Sequence, residues 1–137
     1  MIYLDINLLL YATLTKVDTI SQQKIAIEII EELIEDKEIL LSNLSLLEYA
    51  FVMSKAKEDK EKIESALELF QLFVKDEKKG FNKLLVEFLN SSYSFKNSFD
   101  LYHVIFANSY NCEKIITFDR GFKKFYDIFN IKIEILK

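Results

Sequence analysis

Four acidic residues in four separate parts of the chain could take part in metal-ion chemistry: Asp5, Glu48, Asp100 and Asp119. Each of them interrupts or ends an apolar run, where a carboxylate is costly unless something compensates its charge. If the fold gathers the four, the cluster offers only hard oxygen ligands, which Mg²⁺ and Mn²⁺ prefer. The pattern therefore predicts a divalent-metal site and makes metal-assisted phosphoester chemistry the leading hypothesis.

Taken one at a time, three of these acids have simpler explanations. Asp5, Asp100 and Asp119 can each cap or turn the segment that follows, which is a common role for aspartate. Glu48 is harder to explain in this way, because the residues one helical turn away from it are apolar. The joint pattern of two acids at strand ends and two on apolar helix faces is what favours a functional site.

The chemistry explains why several acids would be wanted together. Gathered carboxylates repel one another, so their pKa values rise unless a cation is bound. A bound cation lowers the pKa of its water and can hold a phosphate, and two cations roughly 3.5–4 Å apart can clamp the attacking and leaving oxygens. Asn7, Ser42 and Thr117 lie near the acids or at strand ends, where they could orient the ligands or simply cap and turn the chain.

Short apolar stretches alternate with longer segments of helical spacing along the chain. The predicted strands are residues 2–4, 39–42, 115–118 and 131–135, and the predicted helices are 7–14, 20–34, 44–56, 59–74 and 99–110. This order predicts a single domain over residues 1–137, with the α/β class and a three-layer α/β/α sandwich around a mainly parallel sheet. Ligands bind beyond the carboxyl ends of such strands, where Asp5, Ser42 and Asp119 fall.

Two segments carry more specific expectations. Residues 81–89 fit either a helix or a strand. In the helix predicted over 44–56, the pattern places Leu44, Leu47 and Phe51 on the inward face.

The composition bounds the class of protein. The chain has 137 residues, of which 50% are hydrophobic, and this is enough for one well-formed core. The net charge of −4 counts weakly against a nucleic-acid partner. Cys112 is the only cysteine, so no intramolecular disulfide forms and a reducing, cytoplasmic location is expected. The N-terminal apolar run contains Asp5 and lacks a preceding basic residue, so neither a signal peptide nor a membrane span is expected.

Four short motifs carry a resemblance that covers nearly the whole chain. They are MIYLDINLLLY at residues 1–11, SNLSLLE at 42–48, SFDLYHVIFA at 98–107 and ITFDRGF at 116–122. In this order, with their acids separated by 43, 52 and 19 residues, they resemble the PIN domain family, and most closely its toxin ribonucleases of the VapC type. The bulky His103 and Phe106 depart from the small residues usual in the third motif.

The resemblance implies an activity, a cofactor and partners. It implies that Asp5, Glu48, Asp100 and Asp119 are the catalytic residues and the Mg²⁺ or Mn²⁺ ligands of an endoribonuclease. The products would be a 5′-phosphate and a 3′-hydroxyl end. A homodimer and a small cognate antitoxin are the expected protein partners.

Several residues near the motifs fit two different roles. Lys114, Arg120 and Lys123 flank the fourth motif and fit either contacts with RNA phosphates or a solvated surface about equally well. His103 follows Asp100 by one helical turn and is more often a hydrogen-bonded packing residue than a ligand.

Other functions stay open at this point. One is a PIN-like housekeeping nuclease that processes RNA. A second is a haloacid-dehalogenase-like phosphatase, but that enzyme needs an acid two residues after its first aspartate, and here that position is Asn7. A third is a binding module that keeps the fold without catalysis.

Overall fold

The fold is α/β, as the sequence pattern predicts. The computed structural model of the chain describes residues 1–91 and 95–137. The strands are β1 (Ile2–Leu4), β2 (Ile39–Leu40), β3 (Lys114–Thr117) and β4 (Lys132–Ile135). The helices are α1 (Ile6–Thr13), α2 (Ile20–Asp36), α3 (Asn43–Lys55), α4 (Lys60–Gln71), α5 (Phe81–Ser91) and α6 (Ser98–Ser109), with 3₁₀ segments at Phe95–Asn97 and Arg120–Phe125.

The four strands form one parallel sheet in the order β2-β1-β3-β4. In the register, Ile2 of β1 lies beside Ile39 of β2 on one side and Lys114 of β3 on the other. Because all strands point the same way, the carboxyl ends of β1 and β3 lie side by side at one end of the sheet. This brings Asp5 next to Thr117.

Helices cover both faces of the sheet, because alternate strand residues point to opposite sides. Tyr3 and Ile115 point toward the core under α5 and α6, which also contains Leu101 and Phe106. The opposite core contains Ile2, Leu4 and Ile116 together with residues of the first four helices. This arrangement gives the three layers expected from the sequence.

The inward face of α3 differs from the prediction. Leu47 is 69% exposed and Phe51 is 63% exposed, so their predicted inward positions are wrong. The residues that point inward are Ser45, Tyr49 and Met53. The reason is polar: Ser45 turns inward because its side chain and that of Ser42 form a capping box at the start of the helix.

Two boundaries near the edge of the sheet also differ. The helix predicted to run to residue 74 ends at Gln71, and Val74 instead forms a parallel bridge with Leu41. The Leu41 N–H donates to the Phe73 carbonyl at 3.0 Å, which extends the sheet beyond β2. Residues 81–89 lie within α5, so the helical alternative is the correct one for this segment.

None of the helices within the described residues has the length and apolar character needed to cross a membrane.

Candidate functional site

Asp5 is held at the edge of the sheet by the end of a neighbouring strand. It stands at the N-cap position of α1, but its side chain makes no capping hydrogen bond. Instead, Thr117 Oγ1 donates to Asp5 Oδ2 at 2.6 Å. Asp5 is only 8% exposed, and this burial raises the pKa of its carboxyl group, although His103 and the Thr117 hydrogen bond act in the opposite direction.

The Thr117 hydroxyl connects three parts of the site. Besides donating to Asp5, it accepts from Asn7 Nδ2 at 3.2 Å and from the Asp119 backbone N–H at 2.9 Å. The Asn7 Oδ1 atom accepts from the Phe118 N–H at 3.3 Å. Thr117 therefore contacts the carboxylate of Asp5 directly, and Asn7 is linked to it through the Thr117 hydroxyl.

Asp119 caps the 3₁₀ segment that follows β3. Its Oδ1 atom accepts from the Gly121 N–H at 2.8 Å. Asp119 therefore has the capping role that was one of its possible roles from the sequence. A Cβ atom at position 121 would lie 3.0 Å from Asp119 Oδ1. Glycine at this position therefore leaves the carboxylate room to face the turn.

Asp100 lies in the first turn of α6 and is half-buried. Burial raises the pKa of its carboxyl group, and the negative charges of Asp119 and Glu48 raise it further. The charges of His103 and Lys124 act in the opposite direction. The pKa of Asp100 is thus affected by acids from two other motifs. The charge of Asp100 in turn raises the pKa of Asp5.

Glu48 reaches the site from α3 and ends a chain of buried hydrogen bonds. Its Oε1 atom lies 2.5 Å from His103 Nε2. The other ring nitrogen of His103 contacts the Tyr3 hydroxyl. That hydroxyl also lies 3.0 Å from Ser42 Oγ and 3.0 Å from Ser45 Oγ. Ser42 is therefore linked to Glu48 through the hydroxyl of Tyr3 and the ring of His103.

Tyr3 and Ser45 also belong to the site, although the sequence patterns did not predict them. One signal was available for Ser45, since Ser42, Ser45 and Glu48 are three residues apart and share one helix face. Tyr3 lies in an apolar strand, and only its hydroxyl distinguishes it from an ordinary core residue.

The basic residues near the fourth motif divide into two groups. Arg120 and Lys123 are exposed on the 3₁₀ segment, and Lys124 donates to Asn97 Oδ1 at 2.9 Å beside α6. Lys114 begins β3, about 10 Å of strand away from Thr117, and its ammonium group binds Glu134 at 3.2 Å. Lys114 therefore lies at the opposite end of β3 from the acids.

The donor chemistry fits a hard divalent cation, although the acids do not form a closed cage. Among the described residues, no three Asp, Glu, His or Cys side chains are close enough to hold one metal ion together. The pKa values of Asp5 and Asp100 are nevertheless raised by burial and by neighbouring negative charge. A cation beside these oxygens would relieve that repulsion, and carboxylate oxygens are ligands suited to Mg²⁺.

The fold and the acidic edge define the class of protein. The sequence profile described as "PIN domain" matches residues 2–128, and the chain belongs to this family. The family resemblance seen in the four motifs is thereby confirmed. No curated protein matches the chain by sequence.

Solved structures give the same fold along the whole chain. The chain is similar to VapBC2 from Rickettsia felis, crystallised bound to a DNA fragment from its promoter, with a TM-score of 0.68 and 25% identity over 100% of both chains. It is also similar to FitAcB from Neisseria gonorrhoeae, with a TM-score of 0.69 and 15% identity over 98% of this chain and 96% of that one. A third similar structure is FitAB bound to an IR36 DNA fragment, with a TM-score of 0.68 and 16% identity over 97% and 93% of the two chains.

Proposed function

We propose that the protein is an endoribonuclease that depends on Mg²⁺ or Mn²⁺ and hydrolyses RNA phosphodiester bonds. The observation that carries the proposal is that side-chain hydrogen bonds join the four motifs. Thr117 of the fourth motif donates to Asp5 at 2.6 Å, and His103 of the third motif contacts both Glu48 and Tyr3. Burial and neighbouring negative charge also raise the pKa values of Asp5 and Asp100. Structural ion networks can also perturb pKa values. Here, however, the acids repel one another at the edge of a parallel sheet, where ligands bind.

Each acid has a distinct part in the proposal. Asp5 and Asp100 would hold the cation from the end of β1 and from the start of α6, and Glu48 and Asp119 would complete the ligand set. A bound divalent cation supplies an activated water molecule and charge stabilisation at the phosphate. Thr117 fixes one oxygen of Asp5 by its hydrogen bond, so the second oxygen keeps a defined direction.

The basic 3₁₀ segment supports an RNA substrate. Arg120 and Lys123 are exposed, and Lys124 lies close enough to Asp100 for its charge to lower the pKa of that carboxyl group. Cations next to an acidic site can bind the phosphates that flank the cleaved bond. The net acidity of the chain is therefore compatible with local RNA binding.

We further propose that the nuclease is the toxin of a toxin–antitoxin pair, acting in the cytoplasm as a homodimer and inhibited by a cognate antitoxin. Support comes from the similarity over the full chain to VapBC2, which shares 25% of its residues. The apolar stripe of α5 packs mainly on the core, through Phe81, Leu84 and Phe88, and so offers little free surface. The exposed Leu47 and Phe51 of α3 are better candidates for a protein contact.

The main alternative is a housekeeping nuclease of the same family that processes RNA. The neighbouring gene distinguishes the two: a short adjacent reading frame with a DNA-binding N-terminal part and a flexible tail supports the toxin. The phosphatase alternative lacks its second acid, because Asn7 occupies that position and is bonded to Thr117 and Phe118.

A cleavage assay on labelled RNA tests the activity. We expect cleavage by the purified protein in Mn²⁺, no cleavage in excess EDTA, and a loss of at least 100-fold (about 2.7 kcal/mol of transition-state stabilisation) in Asp5→Asn and Asp100→Asn. Asp59→Asn is the matched control, because Asp59 is an exposed N-cap residue without a capping side-chain bond. Full cleavage by Asp5→Asn, or cleavage that EDTA does not reduce, would contradict the proposal.

A further inference from the structure

The hydrogen-bond chain that ends at Glu48 has a role that the acids alone do not explain. We propose that His103 and Tyr3 are positioning residues, which fix the direction of the Glu48 carboxylate toward the site. Ser42 and Ser45 anchor Tyr3 in this arrangement. The role in metal binding rests on the proposed function, whereas the positioning itself is a property of the metal-free protein.

The carboxylate of Glu48 determines which atom donates in its hydrogen bond with His103. A carboxylate only accepts hydrogen bonds, so His103 Nε2 carries the proton that is shared with Glu48 Oε1 at 2.5 Å. The other ring nitrogen, Nδ1, pairs with the Tyr3 hydroxyl, which is able to donate or to accept there. The Tyr3 oxygen can in turn accept from the hydroxyl of Ser42 or Ser45, each 3.0 Å away.

Burial differs strongly along this chain. Tyr3, Ser42 and Ser45 are fully buried, and His103 is 3% exposed. The Glu48 side chain is 26% exposed and lies at the open end. A glutamate in this position has several rotatable bonds, and a hydrogen bond from a buried, fixed partner restricts them. The series of hydrogen bonds therefore connects the partly exposed Glu48 side chain to buried groups that have fixed positions.

Stability alone does not account for so many polar groups in the core. A buried hydrogen bond contributes only about 0.5–1.5 kcal/mol net, and apolar groups of the same shape can replace both partners at little cost. Every buried side-chain polar atom among the described residues has a hydrogen-bond partner. A completely satisfied network of this kind defines one arrangement of the side chains.

The network also sets the separation of two acids on different helices. His103 and Asp100 are three residues apart on one face of α6, and Ser45 and Glu48 are three residues apart on one face of α3. The contact between His103 and Glu48 therefore ties the two helices together next to both acids. Glu48 is fixed relative to Asp100 through the helix that carries Asp100.

Metal-free crystal structures of two variants test the positioning directly. His103→Phe removes the partner of Glu48 but keeps a ring in the core, and Tyr3→Phe removes only the hydroxyl that holds His103. We expect the Glu48 side chain to leave its wild-type position in His103→Phe and to show alternative conformers in Tyr3→Phe. Tyr49→Phe is the control, because Tyr49 is equally buried and its hydroxyl bonds to Thr13 at 2.7 Å, away from Glu48. An unchanged Glu48 in His103→Phe would overturn the inference whether or not the protein binds a metal.

Calorimetric titration with Mn²⁺ then tests whether the positioning matters for the site. Loss of a residue that orients a metal ligand typically weakens affinity by about 10- to 100-fold, so we expect Tyr3→Phe to raise the Kd for Mn²⁺ about 10-fold, with a larger effect in His103→Phe. His103→Gln, which keeps a donor and an acceptor, should recover part of the loss. Tyr49→Phe should bind as the wild type does.

A double-mutant cycle separates positioning from general weakening of the structure. In a Glu48→Gln background, Tyr3→Phe should cause no further loss of Mn²⁺ affinity, because its effect acts through the Glu48 carboxylate. An equal loss in both backgrounds would overturn the proposed role. Absence of Mn²⁺ binding by the wild-type protein would contradict the proposed function instead, and the metal-free structures would still decide the positioning.

Discussion

At the residue scale, Asp100 shows the conflict between a charged site and a stable fold. Its carboxyl group is half-buried, and Glu48 and Asp119 add negative charge around it. Such a group is retained at a cost in stability when no cation is bound. The same tension holds for Asp5, whose pKa is raised mainly by burial.

Asp100→Asn is expected to stabilise the metal-free protein. The raised pKa means that the folded protein binds this proton more tightly than the unfolded chain does. Stability therefore falls as the pH rises above the unfolded value, about 3.9 for Asp. In EDTA at pH 7, the variant should have an unfolding midpoint a few degrees higher than that of the wild type. This difference between the two midpoints should disappear below about pH 3.9, where the carboxyl group is protonated in both states.

Thermal unfolding by circular dichroism over this pH range checks the expectation, with Asp59→Asn as an exposed control that leaves the midpoint unchanged. An Asp100→Asn midpoint at or below that of the wild type in EDTA at pH 7 would contradict the strain attributed to this carboxylate.

The sequence predicted some of these residues and not others, for physical reasons. Acids next to apolar runs stand out, because burial of an uncompensated carboxylate is costly. A buried tyrosine in a strand resembles any aromatic core residue, so the hydroxyl contacts of Tyr3 were not visible before the helices were placed. Which acids interact depends on the contact between side chains of α3 and α6, which is a property of the tertiary structure.

At the element scale, the rotation of α3 determines which of its residues face the core. Apolar periodicity alone predicted Leu47 and Phe51 to be inward, whereas both are exposed. The helix turns its polar Ser45 inward because Tyr3 and Ser42 provide hydrogen-bond partners there. Periodicity could not reveal this, since it counts apolar residues and ignores partners from other elements.

Paired truncations in α3 test this rotation. Met53 is fully buried, so Met53→Ala should reduce the free energy of unfolding by about 2–5 kcal/mol. Phe51→Ala removes a larger side chain from the same helix but should change it by only about 0.5 kcal/mol, because Phe51 lies at the surface. Urea unfolding measures both values, and a greater loss in Phe51→Ala would restore the orientation predicted from sequence.

At the scale of the whole molecule, the strand order was the feature that sequence could bound but not determine. Alternation of strands and helices indicated a parallel sheet, and the four strands are parallel. The order β2-β1-β3-β4 places β1 and β3 side by side, although they are more than 100 residues apart in sequence. That pairing brings Thr117 to Asp5, and it could not be derived from local patterns.

The charge distribution of the whole molecule leads to a prediction about RNA binding. Arg120 and Lys123 lie on the 3₁₀ segment that Asp119 caps, whereas Lys114 and Lys132 lie paired in register at the starts of β3 and β4. Arg120→Gln combined with Lys123→Gln should weaken RNA binding and reduce its dependence on salt, because fewer phosphate contacts release fewer counterions. Lys114→Gln combined with Lys132→Gln changes the net charge equally and should have little effect. Fluorescence anisotropy over a salt series measures both, and equal weakening by the two pairs would show that only net charge matters.

The central claim is that acids from distant parts of the chain meet around a hard cation. The most direct measurement is the anomalous difference map of crystals grown with Mn²⁺, collected for the wild type and for Asp5→Asn. We predict a strong peak at coordination distance from the carboxylate oxygens of Asp5 and Asp100 in the wild type, and its loss in the variant. A wild-type map without a peak between these two side chains, at a concentration of Mn²⁺ that supports RNA cleavage, would contradict the account.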